Sequence, residues 1–212
     1  MMKNIRHIIL FFTLIFSVAF SSKIAVATKV KGQVEIMAVG KKGFSDLRPG
    51  TILSDGDKIR TGSSGFTAII FIDDKSTLKV KDNSEVVING KRTAASISKK
   101  INMDEGTIRA TVNKQNTDFV IQTPTSVASV KGTDFWLVSD PETGDQIIGI
   151  EGIVGLTNSE TGQEIEVTEG MSGLSTPNGN VGLTETDPSS IPEDPSDDIE
   201  GPSEVKIYLE GP

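Results

Sequence analysis

Short runs of Val, Ile, Thr and Phe, each bounded by Gly, Asp or Asn, recur through residues 28–183. No window in this stretch sustains a 3.6-residue period, so the pattern reads as all-β. Lys29–Met37 alternates polar and apolar positions, as a half-buried strand does. Gly65–Ile72 is nearly continuously apolar and suits a strand buried on both faces. Further strands are expected at Thr77–Lys81, Val86–Asn89, Thr107–Val112, Asp118–Gln122, Thr133–Val138, Ile147–Ile150, Ile153–Leu156 and Glu164–Val167. Asn89-Gly90 carries the signal of a type I′ hairpin, which wants positive φ at both central residues. Asp55-Gly56 and Thr143-Gly144 mark other tight reversals. Residues 91–103 admit two readings, a short helix or an edge strand guarded by lysines.

A loose recurrence links these runs. Asp104-Glu105-Gly106, Ile150-Glu151-Gly152 and Thr168-Glu169-Gly170 share an x-Glu-Gly pattern at a strand junction. Val30-Lys31-Gly32 and Val130-Lys131-Gly132 share a Lys-Gly version. A charged residue faces water, and glycine follows where the chain must turn or adopt positive φ. The spacing of these glycines is unequal, which excludes a regular one-coil-per-repeat solenoid. The expected architecture is strand–turn units stacked in a rolled sandwich or an irregular solenoid-like β domain.

The two ends differ from this middle. Lys3 and Arg6 precede an apolar stretch, Ile8–Phe20, and Ala25-Val26-Ala27 offers small residues at the spacing of a cleavage site. The stretch is short of the ~20 residues that span a bilayer. Residues 1–27 are therefore expected to be a signal peptide, with the mature domain at 28–183, no stable membrane anchor after cleavage, and a periplasmic, secreted or cell-surface destination. Residues 184–212 carry nine acids, five prolines and one base, Lys206, whereas 28–183 is nearly balanced. Like charge with little apolar content cannot offset ordering entropy, so the tail is expected to be disordered. Within it Val205–Leu209 alternates, either as a chance cluster or as a strand that docks on an edge.

Composition narrows the chemistry. The 212-residue chain has no Cys, and its one His is His7, inside the expected leader. Thiol nucleophiles, histidine general bases and the usual zinc ligands are thus missing from the mature chain. A carboxylate pair could still hydrolyse glycosides, but one Trp and one Tyr give little surface on which to stack a sugar. The net charge of −8 is the wrong sign for nucleic acid. Acidic turns at Asp55-Gly56-Asp57, Asp73-Asp74 and Asp140–Asp145 lack the spacing of a calcium loop and fit ordinary turn chemistry. Trp136 alternates with Phe135 and Leu137 and is either core or an exposed anchor for a partner.

The motifs in order carry a resemblance. Leu47-x-x-Gly50-x-x-Leu53-x-x-Gly56-Asp57-x-Ile59-x-Thr61-Gly62 resembles the opening signature of the FecR domain, and Ile69–Leu78 its apolar strand and acidic turn. Phe119-x-Ile121-x-Thr123-Pro124, then Val130-Lys131-Gly132-Thr133-x-Phe135, resembles the second signature, with Lys131 where the family usually has Arg. Glu151-Gly152-x-Val154 and Glu169-Gly170 match its closing elements. The resemblance implies an all-β interaction module with no enzymatic activity and no cofactor. It implies a protein partner in the cell envelope, with Gly50, Leu53, Gly56, Asp57, Thr61, Gly62, Thr123, Pro124, Gly132, Thr133, Phe135, Gly152 and Gly170 as structural signature residues. The family's best-known members sense an outer-membrane siderophore receptor and control a cytoplasmic sigma factor from the inner membrane. Seven residues before the apolar stretch are too few for that cytoplasmic contact. The sequence therefore supports two functions, an exported binding or scaffolding module and a periplasmic component of siderophore-type signalling, with a carbohydrate-active enzyme a distant third.

Overall fold

A computed structural model describes residues 22–114 and 117–196. The seventeen strands among them are β1 Lys23–Lys31, β2 Val34–Met37, β3 Ser45–Asp46, β4 Ile52–Ser54, β5 Asp57–Thr61, β6 Phe66–Phe71, β7 Thr77–Val80, β8 Glu85–Arg92, β9 Ile97–Thr111, β10 Phe119–Gln122, β11 Ser126–Val130, β12 Asp134–Asp140, β13 Gly144–Glu151, β14 Ile153–Asn158, β15 Glu164–Thr168, β16 Met171–Ser175 and β17 Val181–Glu185. A single 3-10 turn follows at Pro188–Ser190. No helix among the described residues is long and apolar enough to cross a membrane.

β9 organises the molecule. Its burial alternates with Ile97, Lys99, Ile101 and Met103 inward, then changes phase so that Ile108 and Ala110 point inward. The slip falls at Asp104-Glu105-Gly106, one of the recurrent Glu-Gly junctions. Before it, β9 pairs with β8 and runs parallel to β10; after it, β9 pairs with β7 and β12. The long strand thus belongs to two sheets. Sheet A runs β4-β1-β6-β7-β9-β12-β13-β16-β17. Sheet B runs β3-β2-β5-β8-β9-β10-β11-β14-β15. Apart from β9–β10, every pairing is antiparallel. One apolar core lies between the sheets: Ile24, Ile69, Phe71, Leu78, Ile108 and Phe135 come from sheet A, and Ile59, Ile88, Ile101, Phe119, Ile121 and Leu156 from sheet B. The folded, open all-β body is the rolled sandwich that the alternation predicts.

The glycines behave as the recurrence requires. Gly32, Gly106, Gly132, Gly152 and Gly170 all have positive φ. At Gly106 (φ +119°) an added Cβ would overlap Ser84, with the Ser84 Cα 2.5 Å away. Only glycine lets β9 pass that close while it changes sheet.

Several expectations need correction. Asn89-Gly90 is no hairpin: both residues lie inside β8, paired with Lys100 and Lys99, and the reversal comes at Thr93–Ser96. Gly90 is there because a Cβ would meet the Ile24 side chain at 2.8 Å. Residues 91–103 are neither helix nor edge; most of them form the central strand β9. The body also begins earlier than residue 28. Ile24, Ala25, Val26 and Ala27 are buried in β1, opposite Ile52 and Leu53 of β4 and Ile69–Phe71 of β6. A cut after Ala27 would remove half of this strand, including four residues packed in the core. At the other end Thr184–Ser196 is ordered: β17 extends sheet A, and the chain then folds back over that sheet. Residues 197–212, with the alternating Val205–Leu209, lie outside the described residues, as do residues 1–21.

Candidate functional site

The signature side chains tie strands together. Asp57 is buried at the start of β5; its Oδ1 accepts from the Val39 N–H at 2.9 Å and its Oδ2 from the Ser54 N–H at 2.8 Å, which fixes the β4–β5 reversal at Gly56. Thr61 ends β5; its hydroxyl donates to the Lys81 carbonyl at 2.5 Å and accepts from the Ser84 N–H at 3.0 Å. Thr123, held extended by Pro124, accepts the Ser126 N–H at 2.9 Å and donates to the buried Asp145 carboxylate of β13, which the Ser126 hydroxyl also reaches. Two sheets are joined there through the Asp145 carboxylate. Gly132 (φ +73°) leads to Thr133, which is buried, and to Phe135, which is fully buried in the core; Gly152 stands against Thr133 and the Gly132 carbonyl. Leu53 is core, Gly62 packs on Gln33, and Gly50 and Gly170 turn with open space around them. These residues are spread over both sheets as joints and do not converge on a cleft.

The acidic turns resolve in the same way. Asp140 accepts from the Glu142 and Thr143 N–H groups, which hold its carboxyl below the usual carboxylate range. Asp73 and Asp74 receive the ammonium of Lys99, whose side chain is fully buried, at 2.9 Å each, and the cation also lies 5.3 Å from the Phe71 ring centroid. Burial pushes the Asp73 carboxyl up, but hydrogen bonds from Lys99 and the Ile97 N–H outweigh it and hold the group below its ordinary value. No group of three or more metal-ligating side chains occurs among the described residues.

A larger constellation of charged side chains converges on the outer face of sheet A. Strand register sets Lys29, Ala68, Lys79, Arg109 and Trp136 in a row across β1, β6, β7, β9 and β12. Lys81, two residues beyond Lys79, shares the face. Trp136 points away from the core that holds Phe135 and Leu137, yet it is only 1% exposed. Arg109 lies 5.6 Å and Lys81 5.8 Å from its ring centroid. Arg109 makes a two-pronged bond to Asp134 at 2.9 Å, which raises its pKa further above the ordinary arginine value. Glu193–Ser196 then crosses this face. Asp194 Oδ2 receives Lys79 Nζ at 2.6 Å and Arg109 Nη1 at 2.9 Å. The Ser196 hydroxyl receives Lys79 at 2.8 Å and its carbonyl receives Lys29 at 2.6 Å, while the Glu193 carbonyl receives Lys81 at 3.0 Å. Asp194 Oδ1 accepts from the N–H and hydroxyl of Ser196, shaping the turn. Burial raises the Asp194 carboxyl, but Lys79 and Ser196 outweigh it, and the group sits far below the ordinary carboxylate value.

Residues 57–171 match the FecR protein family. The chain belongs to that family. Asp57, Thr61, Gly62, Thr123, Pro124, Gly132, Thr133, Phe135, Gly152 and Gly170 fall within the matched stretch, and Gly50, Leu53 and Gly56 precede it. No curated protein matches this FecR chain significantly. Among solved structures it is similar to two crystal structures of a "putative anti-sigma factor" from Parabacteroides distasonis ATCC 8503. One has a TM-score of 0.51 at 13% identity, the other 0.50 at 15%. Each likeness covers 61% of this chain and 60% of the other, so the chain spans about 60% of those structures, and at such identity the likeness is one of fold.

The outer-face site of this FecR domain was not visible in the signature. Lys29, Lys79, Lys81, Arg109, Asp194 and Ser196 belong to no FecR motif quoted from the sequence. Their signal was positional: Lys79, Lys81 and Arg109 occupy the polar phase of alternating strands, and the tail supplies the opposite charge. Trp136 is buried and not the exposed anchor, although it lies on the outer side of the sheet, away from the core cluster.

Proposed function

We propose that this FecR protein is an exported, non-catalytic regulatory module that acts by binding another protein at the cell envelope. Membership of the family carries the reading, because the signature residues are spent on joining strands and leave no convergent reactive site among the described residues. The likeness in fold to the Parabacteroides protein favours regulation within a signalling system over a general scaffold. Siderophore-type signalling with a separate membrane regulator is the specific form that the family resemblance suggests. The chain itself supplies a sheet face with a cationic cluster, suited to contact rather than catalysis.

Export is part of the proposal, with one revision. β1 needs Ile24–Ala27, so the leader must be removed upstream of Ile24 for the body to stay whole. N-terminal sequencing of the protein recovered from the envelope is expected to show a first residue before Ile24. A mature chain beginning at Thr28 would contradict it. Crosslinking in the native envelope followed by mass spectrometry tests the function: a discrete protein adduct, with altered transcription on gene deletion, is expected. Adducts to wall polymer alone, with no transcriptional response, would overturn the regulatory reading.

A further inference from the structure

Glu193–Ser196 sits on sheet A as a bound peptide sits on a receptor. Its contacts come from residues 85 to 167 positions away, through three lysines and one arginine. Two of the contacts go to backbone carbonyls, which any sequence would offer. The others go to one carboxylate and one hydroxyl. Lys79 and Arg109 converge on a single carboxylate oxygen, while Asp134 anchors the guanidinium from its other edge. A cationic cluster of this kind reads an acid and a small hydroxyl held together in a turn.

The strap adds nothing to the interior. Among the described residues the core cluster contains none beyond Val167, and only Met171 packs against it from the later chain. The ordered residues of the crossing bury little apolar surface, since Ile191 stays exposed and Glu193 faces water. Nor does Glu193–Ser196 pair as a strand. Release of the strap therefore leaves the folded body intact, with the cations beside Trp136 uncovered for another ligand.

We propose that the outer-face cluster of Lys29, Lys79, Lys81 and Arg109 beside Trp136 is a recognition site for an acidic turn segment of a partner protein, occupied in cis by the chain's own Glu193–Ser196 as a removable strap. The tether from β17 is short, so the strap acts at an effective concentration on the order of millimolar. A partner segment must compete against that concentration, and the strap sets the threshold for binding. This inference rests on the reading of the chain as a protein-binding module and names the chemistry that module recognises.

The test uses the full chain and a fluorescein-labelled peptide with the sequence of residues 188–198 as probe. Wild type is compared with Asp194→Ala/Ser196→Ala, which loosens the strap. The loosened variant is expected to bind the peptide at least tenfold more tightly than wild type in low salt, with a change in emission of Trp136, the only tryptophan. Adding Lys79→Glu and Arg109→Gln is expected to abolish that binding. A cooperative melt confirms that each variant is folded; should the double variant lose it, Asp194→Asn takes its place with the same expected ranking. Equal binding by wild type and loosened variant, binding that survives the charge changes, or equal competition by an unrelated polyanion such as polyphosphate would each overturn the proposal. Loss of peptide binding with envelope crosslinks intact would remove the strap alone. Loss of the crosslinks with peptide binding intact would remove the protein-binding reading instead.

Discussion

Gly106 and Gly132 show how much of this fold is set by single residues. Both hold left-handed backbone, but their surroundings differ. A side chain at Gly132 would press on Lys114 Cγ at 2.6 Å, a flexible neighbour that can move aside. At Gly106 it would collide with the backbone and hydroxyl of Ser84, whose Oγ accepts from the Thr107 N–H at 2.9 Å. Gly132→Val is expected to cost about 1–2 kcal/mol, the price of left-handed backbone. Gly106→Ala is expected to cost more than Gly132→Ala in urea unfolding, despite adding only a methyl group; equal losses would contradict the close approach. Thr123→Val tests a different joint. It removes the donor to Asp145 and the acceptor for the Ser126 N–H, so a loss of about 1–3 kcal/mol is expected.

Among the elements, β9 and β1 carry the most consequence. The alternation of Val, Ile and Phe was legible because burial between two sheets imposes period two along most strands. The Glu-Gly junctions were legible because positive φ selects glycine. What stayed hidden was non-local. Asn89-Gly90 carries a hairpin signal, but crowding by Ile24 and pairing with Lys99 and Lys100 make it a straight part of β8. Lys99 looked like an edge guard until the fold brought Asp73 and Asp74 to it from more than twenty residues upstream. Lys99→Met would leave those two carboxylates facing each other without the ammonium between them. A loss of about 3–5 kcal/mol is expected from thermal or urea unfolding, since removing one partner strands a buried charge. A neutral substitution would mean that the pair is solvated and contributes little.

At the scale of the whole molecule, acidity and fold are coupled through the tail. Composition alone puts Thr184–Ser196 outside the domain, because nothing nearby in sequence neutralises it. The neutralising charges sit between residues 29 and 109 and meet the tail only when sheet A is built. Asp73 and Asp194 both have folded values below the ordinary 3.8, so each stabilises the folded chain most above that value. Their contribution is lost as pH falls through the depressed values. The melting temperature is expected to decline below about pH 4, and Asp194→Asn to flatten part of that decline. An acid limb unchanged by Asp194→Asn would show that the strap does not contribute to stability.

The central claim, that this FecR domain works through protein contact on the outer face of sheet A, is tested most directly by site-specific photo-crosslinking in the native envelope. The reactive group would be placed at exposed Thr184 on that face, and at exposed Glu166 of β15 in sheet B as the control. The expected result is a discrete protein adduct from position 184 alone, several-fold stronger when Asp194→Ala/Ser196→Ala frees the cluster. Equal adducts from both positions, or none from 184 in the freed chain, would contradict it.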